Sequence, residues 1–179
     1  MNIPNFLSLL RILLVPVMII FLMEGSYLKA LVVLAVSGIT DALDGFLARV
    51  LNQQTVLGAY LDPIADKALL ASCFVMLSIK DIMPAWLTVL VISRDFIILL
   101  GVAVLSMMSV PLEIRPALVS KITTAVQLIT VIFALLFRIL PGVVDYNWFL
   151  ILQWLTAVLT VVSGLNYMFS SVRLNNSTV

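Results

Sequence analysis

The chain has 179 residues, of which 63% are apolar and 11% charged, and its mean hydropathy is +1.22. Soluble domains are less apolar and more charged than this, so the excess apolar surface is expected to face lipid. The net charge of +1 excludes a polyanion-binding protein driven by bulk electrostatics, and the lack of a long basic run argues against nucleic acid as a partner. The absence of histidine excludes Ser-His-Asp hydrolysis and His-ligated metals. Carboxylates, lysine and hydroxyls remain as the available chemistry.

Long apolar segments predict an all-α, polytopic membrane protein with six transmembrane helices in a single domain, 1–179. Short polar breaks, several with Pro or Gly, separate the segments. The predicted spans are 6–23, 28–49, 57–79, 84–107, 117–138 and 147–171. We expect residues 1–5 to lie along the membrane surface and the polar tail from about residue 174 to be disordered.

The first span has no Lys or Arg before Arg11 and no small-residue cleavage site directly after it, so we expect it to be retained. The distribution of basic residues weakly favours a cytoplasmic N-terminus. The single cysteine, Cys73, cannot form an intrachain disulfide and is expected to be buried and inert.

The second and third spans carry four of the nine acidic residues, Asp41, Asp44, Asp62 and Asp66. A carboxylate within a span costs about 2.5 kcal/mol or more on insertion scales, so a cation is expected to bind them. The spacings i, i+3 and i, i+4 place each pair on one helical face. If the two spans form an antiparallel hairpin, the two faces can converge.

Such a site contains only oxygen ligands, which suits hard cations such as Mg²⁺ or Mn²⁺. Two ions about 3.5–4 Å apart would match four negative charges. Gly45 and Gly58 flank the acidic pairs and would let a ligand approach closely. The alternatives are helix caps or ion pairs with Arg49 and Lys67. Intramembrane carboxylates are also found in cation channels and transporters, which is the more distant alternative.

The acidic residues lie in a longer pattern, D-A-L-D-G-F-L-A-R, eight residues, then G-A-Y-L-D-P-I-A-D. It resembles in full the CDP-alcohol phosphotransferase pattern D-x2-D-G-x2-A-R-x8-G-x3-D-x3-D. The opening N-I-P-N-F-L-S-L-L-R-I, the run I-S-R-D and the run V-S-K-I-T-T-A-V-Q-L resemble family members that make phosphatidylglycerol phosphate or cardiolipin. The resemblance covers most of the chain.

The resemblance implies a six-helix membrane enzyme, usually a homodimer, that transfers a phosphatidyl group from CDP-diacylglycerol to an alcohol and releases CMP. Two divalent cations, Mg²⁺ or Mn²⁺, would be its cofactors. By the family's pattern Asp66 would be the general base, with metal ligation alone as the alternative. The implied metal ligands are Asp41, Asp44, Asp62 and Asp66. The implied donor nucleotide-binding residues are Asn5, Ser8, Gly45, Ala48, Arg49 and Gly58.

The acceptor is expected to be held through a phosphate by Arg94, Arg115 and Lys121. The alternatives are an Arg94–Asp95 or other interhelical pair, and snorkelling of the other two side chains. Lys67 is expected to be a structural ion-pair partner, because it points about 100° away from Asp66 on a helix.

Bacterial phosphatidylglycerol phosphate synthases usually carry G-K-x-K-T, where this chain has Ser120 to Thr124, and an Arg after the fourth-span R-E that this chain lacks. Because two cations suited to dianionic glycerol 3-phosphate are missing, we favour phosphatidylglycerol as acceptor, as in cardiolipin synthases. Glycerol 3-phosphate is the alternative acceptor. A bacterial inner (plasma) membrane with the active site facing the cytoplasm is the expected location.

Overall fold

The structure is a computed structural model of the chain, and it describes residues 3–50, 56–107, 118–143 and 145–176. Side chains are described in 9–41, 64–101, 118–143 and 145–167. The regular structure of the described residues is entirely helical, which confirms the all-α class. The helices are α1 Ile3–Met23, α2 Tyr27–Val50, α3 Val56–Ile79, α4 Ala85–Met107, α5 Leu118–Ile139 and α6 Tyr146–Asn176.

Each predicted span falls on one helix, and the ends differ most at the two termini of the chain. Helix α1 begins at Ile3, within the segment predicted to lie on the membrane surface. Helix α6 continues to Asn176, past the predicted start of a disordered tail. Residues 177–179 lie outside the described residues.

Left-handed residues end three of the helices. Gly25, with a φ of 71°, follows α1, and the amides of Gly25 and Ser26 donate to the carbonyls of Leu22 and Phe21. These two bonds form a Schellman motif, for which glycine is the usual residue because it lacks a Cβ. Asp81, with a φ of 54°, takes the equivalent position after α3, and Gly142, with a φ of 92°, follows α5. These turns reverse the chain between neighbouring helices.

The helices pack as two groups of three. Helix α1 packs against both α2 and α3, while α6 packs against both α4 and α5. Contacts of α3 with α4, and of α5 with α2 and α3, join the groups. Phe74 and Leu77 of α3 lie fully buried in the apolar core with Met18 and Leu22 of α1. Cys73 is also fully buried, as predicted.

Hydroxyl and amide side chains connect α5 to α6. The Oγ1 atoms of Thr130 and Thr156 lie 2.7 Å apart, and Gln127 Nε2 donates to Thr160 Oγ1 at 3.2 Å. All four residues are buried. In an apolar environment such bonds hold helices together, because the alternative is an unsatisfied polar group.

Two helical segments of the described chain, Leu118–Ile139 and Tyr146–Tyr167, are long and apolar enough to cross a membrane. Large apolar side chains on them are exposed, among them Leu118 at 77% and Trp148 at 65%. Exposed apolar surface of this kind is suited to lipid. These observations support a membrane protein, and the six-span topology stays a prediction.

Candidate active site

Helix α1 brings one carboxylate of α2 and one of α3 together. The sequence predicts that the two acidic pairs converge because α2 and α3 form a hairpin. In the described residues, each of these two helices packs against α1 instead. Asp41 lies in the second half of α2, and Asp66 lies in the first half of α3. Both carboxylates therefore face a side chain on the helix between them.

That side chain is Arg11 of α1, which the sequence did not single out as a functional residue. Its Nη1 lies 2.9 Å from Asp41 Oδ1 and also contacts Asp66 Oδ1. The Arg11 side chain is 1% exposed, whereas those of Asp41 and Asp66 are 48% and 45% exposed. The carboxylates are thus bridged by a buried guanidinium on one side and open to ligands on the other. The signal that could have found Arg11 is that a cation within an apolar span needs an anionic partner.

The contact of Arg11 with both carboxylates indicates whether this site fits a divalent ion. Two carboxylate oxygens from different helices contact one nitrogen atom, so both are within reach of a single small cation. Carboxylate oxygens are the ligands that Mg²⁺ and Mn²⁺ prefer. Asp41 and Asp66 therefore fit a metal. Among the described side chains no group of three potential metal ligands occurs.

The other predicted metal and nucleotide residues are placed by their backbone alone. Asp44, Gly45, Ala48 and Arg49 follow Asp41 on α2, Gly58 and Asp62 precede Asp66 on α3, and Asn5 and Ser8 belong to α1. Their side-chain surroundings lie outside the described residues, and Arg115 lies outside them entirely. Their predicted roles stay predictions.

A second charged cluster joins α3 to α4. Lys67 Nζ and Arg94 Nη1 each donate to Asp95 Oδ1 at 2.6 Å. The other Arg94 terminal nitrogen, Nη2, donates at 2.7 Å to Ser120 Oγ of α5 and to Ser163 Oγ of α6. Arg94 is 4% exposed and Asp95 is 6% exposed. The ion pairs considered for Lys67 and Arg94 from sequence are thus present. Together with the hydrogen bonds to the two serines, they connect four helices.

An open cavity of about 380 Å³ lies beside this cluster between α3, α4 and α5. Lys67, Arg94 and Lys121 line it, with the hydroxyls of Ser120 and Thr124. Two of the three predicted acceptor-binding cations, Arg94 and Lys121, therefore share one cavity, and Lys67 adds a third cation. Cations and hydroxyls around a cavity suit a phosphate group.

Consecutive residues of α3 connect the two clusters. Asp66 contacts Arg11 on α1, whereas Lys67 contacts Asp95 on α4. This agrees with the angle of about 100° between neighbouring residues on a helix. The carboxylate site and the basic cavity therefore lie against neighbouring faces of the same helix.

These features define a class of protein, a helical membrane protein with an acidic site beside a basic cavity. The sequence model of the family described as "CDP-alcohol phosphatidyltransferase" matches residues 1–162 of the chain. The chain belongs to the CDP-alcohol phosphatidyltransferase family.

Curated relatives carry two different names. The chain is 36% identical over 182 residues to "Cardiolipin synthase (CMP-forming)" of Rattus norvegicus, a match that covers 93% of this chain and 60% of the relative. It is 35% identical over 185 residues to the chloroplastic CDP-diacylglycerol–glycerol-3-phosphate 3-phosphatidyltransferase 1 of Oryza sativa subsp. japonica, covering 93% of this chain and 56% of the relative. The Bacillus subtilis CDP-diacylglycerol–glycerol-3-phosphate 3-phosphatidyltransferase is 30% identical over 181 residues, covering 93% of each chain.

The chain spans about 60% of the length of the mammalian cardiolipin synthases that it matches. The Bacillus relative, in contrast, is matched over almost its whole length. The names of these relatives differ in the product or the acceptor that they indicate.

Proposed function

We propose that this protein is a membrane enzyme that transfers a phosphatidyl group from CDP-diacylglycerol to an alcohol and releases CMP. The observation that carries the proposal is the placement of Asp66 and Lys67, consecutive residues that face the acidic site and the basic cavity. A nucleotide-activated lipid on the acidic side and a phosphate-bearing acceptor on the basic side would then meet at α3.

The acidic site is proposed to hold two divalent cations, Mg²⁺ or Mn²⁺. The ligands are Asp41, Asp44, Asp62 and Asp66, of which Asp41 and Asp66 already converge on one cationic nitrogen. When bound, the ions would neutralise the pyrophosphate of the donor. Asn5, Ser8, Gly45, Ala48, Arg49 and Gly58 are proposed to contact the donor nucleotide.

Asp66 is proposed to act as the general base. The acceptor hydroxyl oxygen forms a bond to the phosphorus that carries the diacylglycerol, the bond from that phosphorus to the CMP oxygen breaks, and the hydroxyl proton passes to the Asp66 carboxylate. A base must reach that hydroxyl within hydrogen-bond distance. The Asp66 side chain is 45% exposed and is thus accessible to a substrate.

Phosphatidylglycerol is the proposed acceptor, which would make the product cardiolipin. Asp95 takes hydrogen bonds from both Lys67 and Arg94, and Arg94 also donates to two serines. Lys121 is the exposed cation among these three. Because Asp95 and the two serines already occupy terminal nitrogens of Lys67 and Arg94, fewer donors remain for an acceptor phosphate, which favours a phosphodiester over a phosphomonoester with its additional charged oxygen.

Glycerol 3-phosphate is the second candidate acceptor. The similarity to the Bacillus enzyme over 93% of both chains favours it. Arg115, which lies outside the described residues, would then supply a further cation for the second phosphate charge.

The proposed setting is a bacterial inner (plasma) membrane that the six helices cross, with the active site facing the cytoplasm and two copies forming a homodimer. The apolar segments of α5 and α6 support the membrane location. A lipid donor also requires it, because the acyl chains stay in the leaflet while the headgroup meets the acidic site.

The deciding experiment offers purified protein Mn²⁺, CDP-diacylglycerol and one acceptor at a time, and measures CMP release and the mass of the lipid product. We expect CMP and cardiolipin with phosphatidylglycerol, and no CMP when the acceptor is omitted or EDTA is present. Consumption of glycerol 3-phosphate alone would establish the second candidate. Cation flux through vesicles without CMP release would contradict the transferase proposal.

Asp66→Asn tests the proposed base in the same assay. We expect CMP release to fall at least about 100-fold, because the amide cannot accept the hydroxyl proton. Glu24→Gln, a change at an exposed turn after α1, is the matched control and should leave the rate unchanged. A near-normal rate for Asp66→Asn would remove Asp66 from this role.

A further inference from the structure

A second open cavity, of about 500 Å³, lies at the end of the bundle opposite the acidic site. The turn after α3, the start of α4, the end of α5 and the start of α6 form its walls. Ser78 of α3 lines it and follows Asp66 by twelve residues, a helical distance of about 18 Å. None of the residues assigned to catalysis lines this cavity, so it is a separate site.

A side-chain amide of a largely buried residue opens into this cavity. Gln153 of α6 is 7% exposed and lines the cavity. Its side chain forms no hydrogen bond with the residues that the structure describes. Its neighbours one and two turns along α6 differ, because Thr156 is bonded to Thr130 and Thr160 to Gln127. The Gln153 amide is therefore free to exchange hydrogen bonds with a ligand in the cavity.

The cavity also has one charge of each sign. Arg138 lies in the last turn of α5, and Asp81 occupies the left-handed position after α3. Both line the cavity, and neither has an ion-pair partner within the part of the chain that the structure describes. Their formal charges cancel, which suits a ligand that carries a positive and a negative group together.

Aromatic side chains complete the wall. The rings of Trp86 and Trp154 lie 5.2 Å apart and tilted by 38°, and Tyr146 stands at the same cavity. Tryptophan and tyrosine are enriched at the level of lipid headgroups. Their ring faces also attract ammonium groups.

We propose that this cavity binds the headgroup of a zwitterionic phospholipid with a phosphate and a primary ammonium group. The phosphate pairs with Arg138, and the ammonium group lies between Asp81 and the aromatic rings. Gln153 donates to a phosphate or ester oxygen. A lipid fits better than a free phosphoamine, because exposed apolar side chains such as Leu150 and Trp154 adjoin the cavity and can contact acyl chains.

The test titrates the full chain in detergent with dihexanoyl phosphatidylethanolamine and follows tryptophan fluorescence. Two of the three tryptophans line the cavity, so binding there should change the emission. We expect saturable binding that weakens about tenfold in Arg138→Gln and in Gln153→Leu, since each loses a bond to the headgroup. Lys29→Gln, which alters an exposed cation outside the cavity, should bind as the unaltered chain does.

Two further titrations identify the ligand. Dihexanoyl phosphatidylglycerol should bind at least several-fold more weakly, because it has no ammonium group, and free phosphoethanolamine should bind more weakly because it has no acyl chains. Equal binding of either one, or equal affinity in all variants, would overturn the proposal. Because the variants should keep their melting temperature and CMP release, a failure here is distinguishable from a failure of the proposed transferase activity.

Discussion

At the scale of single residues, Arg11 is the side chain on which the described part of the acidic site depends. It is almost completely buried, yet two carboxylates from different helices contact one of its nitrogens. In the absence of a metal, Arg11 offsets the repulsion between Asp41 and Asp66. A divalent ion bound to the same carboxylates would offset that repulsion as well.

Arg11→Met should therefore destabilise the protein more without metal than with it. We expect a loss on the order of 2 kcal/mol in EDTA, since the two half-exposed carboxylates lose their counter-ion. Mn²⁺ should restore part of this stability. The melting temperature in EDTA and in Mn²⁺ measures both effects. Arg11→Lys, which keeps the charge, is the control; equal losses of Arg11→Met in the two conditions would show that Arg11 acts through packing alone.

At the scale of helices, α3 separates two sites of opposite charge. Its Asp66 belongs to the acidic site, and its Lys67 belongs to a network with Asp95 and Arg94. Asp95 is the carboxylate of that network, and its Oδ1 atom accepts from both cations. The charge that an acceptor meets in the basic cavity therefore depends on Asp95.

Asp95→Asn should shift acceptor preference toward glycerol 3-phosphate. The change removes one negative charge beside Lys67 and Arg94, which favours a dianion over a monoanion. We expect kcat/KM for glycerol 3-phosphate to rise about threefold or more relative to that for phosphatidylglycerol. Lys67→Gln removes a positive charge and should shift the ratio the other way. Shifts of the same sign in both variants would mean that charge does not set the preference.

The contact between α4 and α6 depends on Gly101. A Cβ added there would lie 2.6 Å from the Tyr167 hydroxyl oxygen. Gly101→Val should therefore force the ring or the helices apart and cost about 1–3 kcal/mol. Gly38→Ala is the control, because a Cβ there meets nothing within 4 Å and alanine favours a helix. Melting temperatures should fall for the first variant only, and an unchanged value for Gly101→Val would contradict the close packing.

At the scale of the whole molecule, the two ends of the bundle differ in chemistry. One end has the acidic site and the basic cavity, and the other has the turns at Gly25, Asp81 and Gly142 with the aromatic cavity. If all six helices cross the membrane, the three turns lie on one face and the active site opens toward the other.

Cysteine labelling in sealed vesicles tests this topology. In a Cys73→Ser background, Ser26→Cys and Gly142→Cys should react with a membrane-impermeant maleimide from the same side. Gln53→Cys, between α2 and α3, should react from the opposite side. Reaction of Ser26→Cys and Gln53→Cys from one side would show that α2 does not cross the membrane.

Much of the fold could be predicted from sequence because each span is a local feature. About 20 apolar residues between polar breaks indicate a helix, whatever packs against it. The pairing of Lys67 also followed from its angle to Asp66 on α3. Arg11 was missed because its partners are far away in the sequence, at positions 41 and 66. A cation within a span indicates that a partner exists but does not identify the partner.

The sequence by itself determined the helical class, the family pattern around Asp41 and Asp66 and the apolar surface, because these depend on residue type and spacing along one chain. Only the tertiary structure decided that α1 lies between α2 and α3 and that Asp95 joins Lys67 to Arg94. It alone brought Gln153, Arg138 and Asp81 to one cavity. These arrangements depend on how helices distant in sequence pack, which local periodicity does not specify.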